Sequence, residues 1–268
     1  MINLNEILGY KDMKIFQDTD LFSFSLDSII LANYSEIRLR DKKIVDFCSG
    51  NAVVPLILSR RFDKRIEGIE VQKKIYDLGV KSINYNRLEN NISLYNCDVK
   101  DFCIDSKNQS KYDFVLCNPP YFKNNETSLK NINYDKTVAR HEILINLDEI
   151  CDCAKKILKD NGTFCLIHRT DRLIEIIDTM RKNNIEPKKL KFIYEKVKKN
   201  STLVLIHGIK NGKVGLKIDS PLILYDESGN KTIEYNNLLK EVRKWFKEVI
   251  MIVQVYILYQ LQLAILMI

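Results

Sequence analysis

Asn118-Pro-Pro-Tyr121 stands directly after the apolar run Tyr112-Asp-Phe-Val-Leu-Cys117. Neither Pro119 nor Pro120 can extend a strand or enter a helix interior, and neither has an N–H to donate, so the chain there is stiff and rich in acceptors. A Pro-Pro pair by itself is only a rigid turn. An Asn before it and a Tyr after it, at the end of a strand, add a carboxamide oxygen and an aromatic face. That set suits a planar amide or the exocyclic amino group of a nucleobase: two acceptors take its two hydrogens while Tyr121 stacks on its π face.

A second group lies upstream. Asp46-Phe-Cys-Ser-Gly-Asn-Ala52 ends the apolar run that starts at Lys43 and precedes an apolar helical pattern, so Ser49, Gly50, Asn51 and Ala52 form a turn of small residues at a strand-to-helix junction. In a doubly wound sheet that junction is where a nucleotide-like ligand meets the backbone. The dinucleotide fingerprint is not present, since Ala52 stands where a second glycine would be. Glu70 falls at the end of the next strand, twenty residues after Gly50, where a carboxylate can accept bonds from ribose hydroxyls. Asp98, followed by Val99, comes after the third strand and could face an adenine amino group; singly, an acid in such a place also reads as a helix cap.

These residues need a frame of alternating elements. Strands are expected at residues 43–48, 65–70, 92–96, 112–117 and 162–168, with helices at 72–90, 143–158 and 173–181 between or after them. The alternation predicts an α/β fold with a mostly parallel sheet covered on both faces. Residues 191–197 and 202–209 leave no room for an intervening helix, so the sheet should finish in an antiparallel hairpin turning at Lys198-Lys-Asn-Ser201. The first 42 residues are expected to be a helical lead-in.

The chain has 268 residues, 46% hydrophobic and 29% charged, with 9 Gly and 5 Pro, which excludes a disordered or collagen-like chain. Its seven cysteines include no CxxC, so neither a zinc ribbon nor a local redox pair is expected, and with three His no metal site is anticipated. His168 and His207 read as structural. No secretory signal opens the chain, and a cytoplasmic protein is expected. Net charge is +7, yet residues 181–217 carry eleven Lys/Arg against two Glu, a local +9 that is either a solvated face or a surface for a polyanion. Residues 249–268 contain no charge and are long enough for a membrane span, but Gln254, Gln260 and Gln262 weaken that reading. No membrane partner is expected, and residues 248–268 are set apart from a domain over 1–247.

Asp46-Phe-Cys-Ser-Gly-Asn, Glu70 and Asn118-Pro-Pro-Tyr resemble the motifs of S-adenosylmethionine-dependent methyltransferases acting on exocyclic or amide nitrogens. The wider pattern, Phe22-Ser-Phe-Ser-Leu-Asp-Ser-Ile-Ile-Leu-Ala32, Val54-Pro-Leu56, Gly68-Ile-Glu70, Asn118-Pro-Pro-Tyr-Phe122, Ala139-Arg-His-Glu142 and Glu186-Pro-Lys-Lys-Leu190, is similar to the bacterial tRNA1(Val) (adenine37-N6)-methyltransferase family. The resemblance implies a Rossmann-like class I methyltransferase with a seven-stranded sheet. It also implies S-adenosylmethionine held by Asp46, Ser49, Gly50, Asn51, Ala52, Glu70, Asp98 and Val99, and catalysis at Asn118, Pro119, Pro120 and Tyr121. The tRNA would meet Arg140, His141, Lys188, Lys189 and Lys191. Ribosomal RNA or DNA adenines and protein glutamine N5 are the alternative substrates.

Overall fold

The computed structural model describes residues 1–18, 25–120 and 145–239. Five parallel strands form its centre: β3 (Ile44–Phe47), β4 (Ile66–Ile69), β5 (Ile92–Tyr95), β6 (Tyr112–Cys117) and β7 (Leu158–Arg169). Antiparallel to β7 runs β9 (Ser201–Lys210), and antiparallel to β9 runs β8 (Ile185–Lys196), the expected hairpin. The sheet does not end at seven strands. The outer edge of β8 is covered by two short parallel strands, β10 (Lys217–Ile218) and β11 (Leu222–Tyr225), giving nine strands in the order β10-β8-β9-β7-β6-β3-β4-β5, with β11 also on β8. Their shortness hides them in sequence, and their pairing protects an edge that would otherwise expose its backbone groups.

Alternation along the strands divides the core into two layers. Ile44, Leu116, Cys165, Ile167 and Leu205 face one side, with α1 (Leu26–Tyr34) and α2 (Val53–Arg61) packed on them. Val45, Phe47, Val115, Leu166 and Ile206 face the other, under α4 (Val99–Ile104), α5 (Leu147–Ile157) and α6 (Leu173–Lys182). Helix α3 (Lys73–Tyr85) buries Ile75, Leu78 and Ile83 at helical spacing. Helix α5 opens with a capping box: Asn146 Oδ1 accepts from Glu149 N at 3.0 Å and Glu149 Oε2 accepts from Asn146 N at 2.8 Å.

The lead-in departs from the expected helix. Among its described residues only those of α1 are helical; before it lies an antiparallel hairpin of β1 (Ile2–Ile7) and β2 (Tyr10–Asp18). Gly9, at φ +89°, supplies the turn, and Met13 and Ile15 alternate into the core, a period of two that favours strand over helix. The hairpin is tied to α3 by Phe16 N donating to Ser82 Oγ at 2.9 Å and by Asn86 Oδ1 accepting from Lys14 N at 3.0 Å. The last described helix, α7 (Ile233–Leu238), packs on β11. No described helix is long and apolar enough to cross a membrane. The uncharged segment 248–268 lies outside the described residues.

Candidate active site

Strand register gathers the chemistry at one end of the sheet. Phe47 pairs with Ile69 on one side and with Cys117 on the other, and Ile69 pairs with Tyr95. One residue beyond these paired ends come Cys48, Glu70, Asn96 and Asn118. Four strand ends spread over seventy residues thus share one rim, at the carboxyl ends of parallel strands where α/β ligand sites form.

The turn after β3 is held open by unusual backbone. Cys48 (φ +54°), Gly50 (φ +59°) and Ala52 (φ +70°) are all left-handed, a conformation that costs a non-glycine residue about 1–2 kcal/mol and persists only where surrounding contacts hold it. Those contacts are visible. Ser49 N donates to Ile69 O at 2.8 Å, and Asn51 Nδ2 donates to Phe16 O at 3.1 Å, so the hairpin missed in the sequence supports this turn. Both Glu70 oxygens accept backbone N–H groups, Oε2 from Gly50 at 2.9 Å and Oε1 from Gln72 at 2.8 Å. Asn96 Nδ2, a further unanticipated support, donates to Glu70 O at 2.8 Å and Val71 O at 3.0 Å.

Asp46 is buried, and that burial, opposed by the nearby Ser49 hydroxyl and reinforced by the charge of Glu70, pushes its carboxyl up to about 8. Burial also raises Glu70, opposed by the N–H groups of Gln72 and Gly50. Three buried polar atoms of the turn, Asp46 Oδ1, Ser49 Oγ and Asn51 Oδ1, have no hydrogen-bond partner among the described residues. Beside Gly50 none of the described residues comes within 4 Å of where a Cβ would stand. Unsatisfied buried polar atoms next to open space mark a place for a polar ligand.

At the neighbouring strand end, Asn118 Nδ2 donates to Ser28 Oγ of α1 at 2.8 Å. Pro119 is buried and Pro120 half-buried behind it. Asp98 caps α4, its Oδ1 accepting from Lys100 N at 2.8 Å, while Val99 is buried at the start of that helix. Tyr121, Arg140 and His141 lie outside the described residues.

A family model described as the methyltransferase small domain matches residues 15–183, well over half of the chain. The chain belongs to the methyltransferase small domain family. Among curated proteins, it is 22% identical over 187 residues to the tRNA1(Val) (adenine(37)-N6)-methyltransferase of Christiangramia forsetii, covering 69% of this chain and 77% of that one. It is 24% identical over 234 residues to the protein of the same name from Actinobacillus pleuropneumoniae, covering 86% and 94%. In fold it is similar to a predicted O-methyltransferase from Agrobacterium tumefaciens, at TM-score 0.64 and 17% identity, covering 81% and 96%. The structure of TYW2 from Pyrococcus horikoshii is similar at TM-score 0.55 and 16% identity, covering 79% and 72%.

In this methyltransferase small domain the anticipated basic residues are placed differently from the turn residues. Lys191 on β8 pairs with Leu205, which pairs with Ile167, one residue past the partner of Cys117; it therefore lies level with Asn118 but three strands away, about 14 Å at ordinary strand spacing. Lys189 Nζ is bonded to Glu36 and, at 2.8 Å, to Asp219. Lys191 Nζ donates to Ser220 O at 2.7 Å, lies 3.4 Å from Glu234 and stacks over Tyr34. Lys188 Nζ donates to Lys213 O at 2.8 Å. These lysines tie β8 to its neighbours. His168 and His207 are buried and held neutral, burial pulling each down to about 4. All seven cysteines are free, and among the described residues no His/Cys/Asp/Glu group could hold a metal ion.

Proposed function

We propose that this protein methylates N6 of an adenine in RNA, using S-adenosylmethionine, with adenine 37 of a valine tRNA as the substrate. The observation that carries the reading is the shared rim: Asn118 and the turn 46–52, with its unsatisfied acid, hydroxyl and carboxamide oxygens, follow adjacent paired strands. The curated relatives named as tRNA1(Val) (adenine(37)-N6)-methyltransferases support the substrate.

The residues fit the cofactor. Asp46, Ser49 and Asn51 offer unsatisfied polar atoms to an amino-acid moiety, and the space beside Gly50 admits it. Glu70 has lone pairs left for ribose hydroxyls, since each of its oxygens accepts one backbone N–H and can accept a second bond. Asp98 and Val99 would border the adenine. S-adenosylmethionine supplies an electrophilic methyl group on a sulfonium sulfur that departs as a thioether.

The protein's work is on the nucleophile. An exocyclic amino nitrogen shares its lone pair with the ring and attacks poorly until it becomes tetrahedral. The adenine is taken out of its stack and placed beside Asn118. Its two N6 hydrogens are accepted by Asn118 Oδ1 and the Pro119 carbonyl, which localises the lone pair and aims it at the methyl carbon. Tyr121 stacks on the ring, and the N6 proton is lost to solvent after transfer.

The test is single-turnover transfer of labelled methyl to tRNA, followed by nucleoside digestion. Asn118→Ala should lower kcat at least about a hundredfold with cofactor affinity near parental, because its bond strengthens as nitrogen rehybridises. Tyr121→Ala should weaken RNA binding and Tyr121→Phe should not, since stacking is worth roughly 1–3 kcal/mol per base. An active Asn118→Ala enzyme, or label on protein glutamine and none on RNA, rejects the proposal.

A further inference from the structure

Two of the free cysteines meet at the rim. Cys48 is the first residue after β3 and Cys117 the last of β6, and Cys117 pairs in register with Phe47. A strand spacing of about 4.8 Å and one step of about 3.3 Å along the chain set the two Cα atoms roughly 6 Å apart. A disulfide spans that separation without moving the backbone far. The side chains converge as well. Cys117 is buried in the core layer beneath α5, Cys48 packs on the same layer, and the two thiols are hydrogen-bonded to each other. Burial, with the Cys48 thiol beside it, holds the Cys117 thiol well above its ordinary range, so this member stays protonated. A second such contact, between Cys103 of α4 and Cys153 of α5, has both members buried, whereas Cys48 is half-buried against the described residues. Cys48 is therefore the sulfur that a small oxidant in the open side of the turn reaches first.

We propose that Cys48 and Cys117 form an oxidation site for a small peroxide, closing to a disulfide that ties the turn 46–52 to the strand end carrying Asn118. Cys48 sulfur attacks the peroxide: an S–O bond forms, the O–O bond breaks, and the departing oxygen leaves as water, giving a sulfenic acid. Cys117 sulfur then attacks Cys48 sulfur. The S–S bond forms, the S–O bond breaks, and the hydroxide leaves as water with the Cys117 proton. Two thiols lose two electrons, and hydrogen peroxide becomes two waters. Closure brings the sulfurs from hydrogen-bond contact to about 2.05 Å, a movement of more than about 1 Å. It is taken up where Cys48 is left-handed and Ser49 N is bonded to Ile69 O. A displacement of that size in a reacting site lowers transfer by about a hundredfold. That consequence for catalysis rests on the adenine-N6 reading; the thiol chemistry does not.

The experiment treats reduced protein with hydrogen peroxide, blocks remaining thiols, and maps disulfides by mass spectrometry of peptides. Methyl transfer to tRNA and S-adenosylmethionine affinity by calorimetry are measured on the same samples. Cys48 should be found bonded to Cys117 while Cys103 and Cys153 remain thiols. Methyl transfer should fall about a hundredfold and cofactor affinity at least about tenfold, and dithiothreitol should restore both. In Cys117→Ala no resolving thiol remains, so Cys48 should pass on to the sulfinic acid, which dithiothreitol does not reverse. Cys48 oxidised while Cys117 stays a thiol in the parent overturns the proposal, as does bonding of either to another cysteine. A Cys48–Cys117 disulfide with unchanged cofactor affinity overturns its effect on the turn. A reduced parent that labels no RNA rejects the wider reading, and the peptide map and the calorimetry still decide this one.

Discussion

The carboxylates of the rim are individually poor candidates for free, charged groups. Asp46 is held protonated near neutrality because burial dominates its environment, and Glu70 is raised for the same reason but given two backbone N–H groups. The sign for Asp46 follows from its shift. Its folded pKa of about 8 lies above the ordinary 3.8, so the native state keeps a proton that the unfolded chain releases, and stability through this group falls as pH rises across that interval. A ligand ammonium that favours the ionised form must then expel the proton. S-adenosylmethionine affinity should therefore rise between about pH 6 and 8, with proton release visible by calorimetry in buffers of different ionisation enthalpy, and Asp46→Asn should abolish the release. Flat affinity over that range in the parent would reject the assignment. Glu70→Ala should weaken binding at every pH, since it frees the N–H of Gly50 as well as removing the ribose acceptor.

At the scale of elements, the turn after β3 works because two strands and a hairpin press on it. Gly68 in β4 is the closest approach: a Cβ there would stand 2.7 Å from Ser49 Oγ and 2.7 Å from Leu94 Cδ1. Gly68→Ala must displace the turn or β5, and overpacking of this kind costs about 1–3 kcal/mol. It should lower the denaturation midpoint and weaken cofactor binding together, whereas a change at the far edge of the sheet would lower only the midpoint. Unchanged values of both would show that the turn does not need β4 at this distance. The hairpin acts through Asn51, whose amide is held by Phe16 O, and it was hidden in the sequence because β1 is mostly exposed and mixed in polarity.

For the whole molecule, the basic excess of residues 181–217 is less available than its net charge indicates. Arg181, Lys182, Lys189, Lys191, Lys198 and Lys199 all pair with carboxylates of the chain. Lys189 and Lys191 are the most enclosed of these, so reversing them to Glu sets like charges against Glu36, Asp219 and Glu234 and should destabilise the β8 edge whether or not RNA is bound. The cleaner test lies at the turn between β8 and β9. Because β8 runs in the same direction as β6, that turn lies at the rim end of the sheet, and there Lys198 and Lys199 are exposed with only exposed partners. tRNA affinity should fall with salt, and Lys198→Glu with Lys199→Glu should lower both the affinity and the salt slope. Binding and slope like the parent's would return the turn to ordinary solvated surface.

Alternating apolar runs and turn residues are local signals, and they were enough to place the five central strands, the β8–β9 pairing and the three rim motifs, because a strand end, a Pro-Pro stop and a small-residue turn are each written in a few neighbouring positions. The left-handed backbone at Cys48 and Ala52 carried no such mark, since neither residue type requests it. Tertiary structure alone decided the partners: Ser28 for Asn118, Phe16 for Asn51, and Glu36, Asp219 and Glu234 for the lysines of β8. Most of these join residues tens to more than a hundred positions apart, and no composition or period encodes which of several serines or glutamates will arrive. Only the packing of α1 and the hairpin on one face of the sheet, and of β10 and β11 along its edge, brings them within bonding distance.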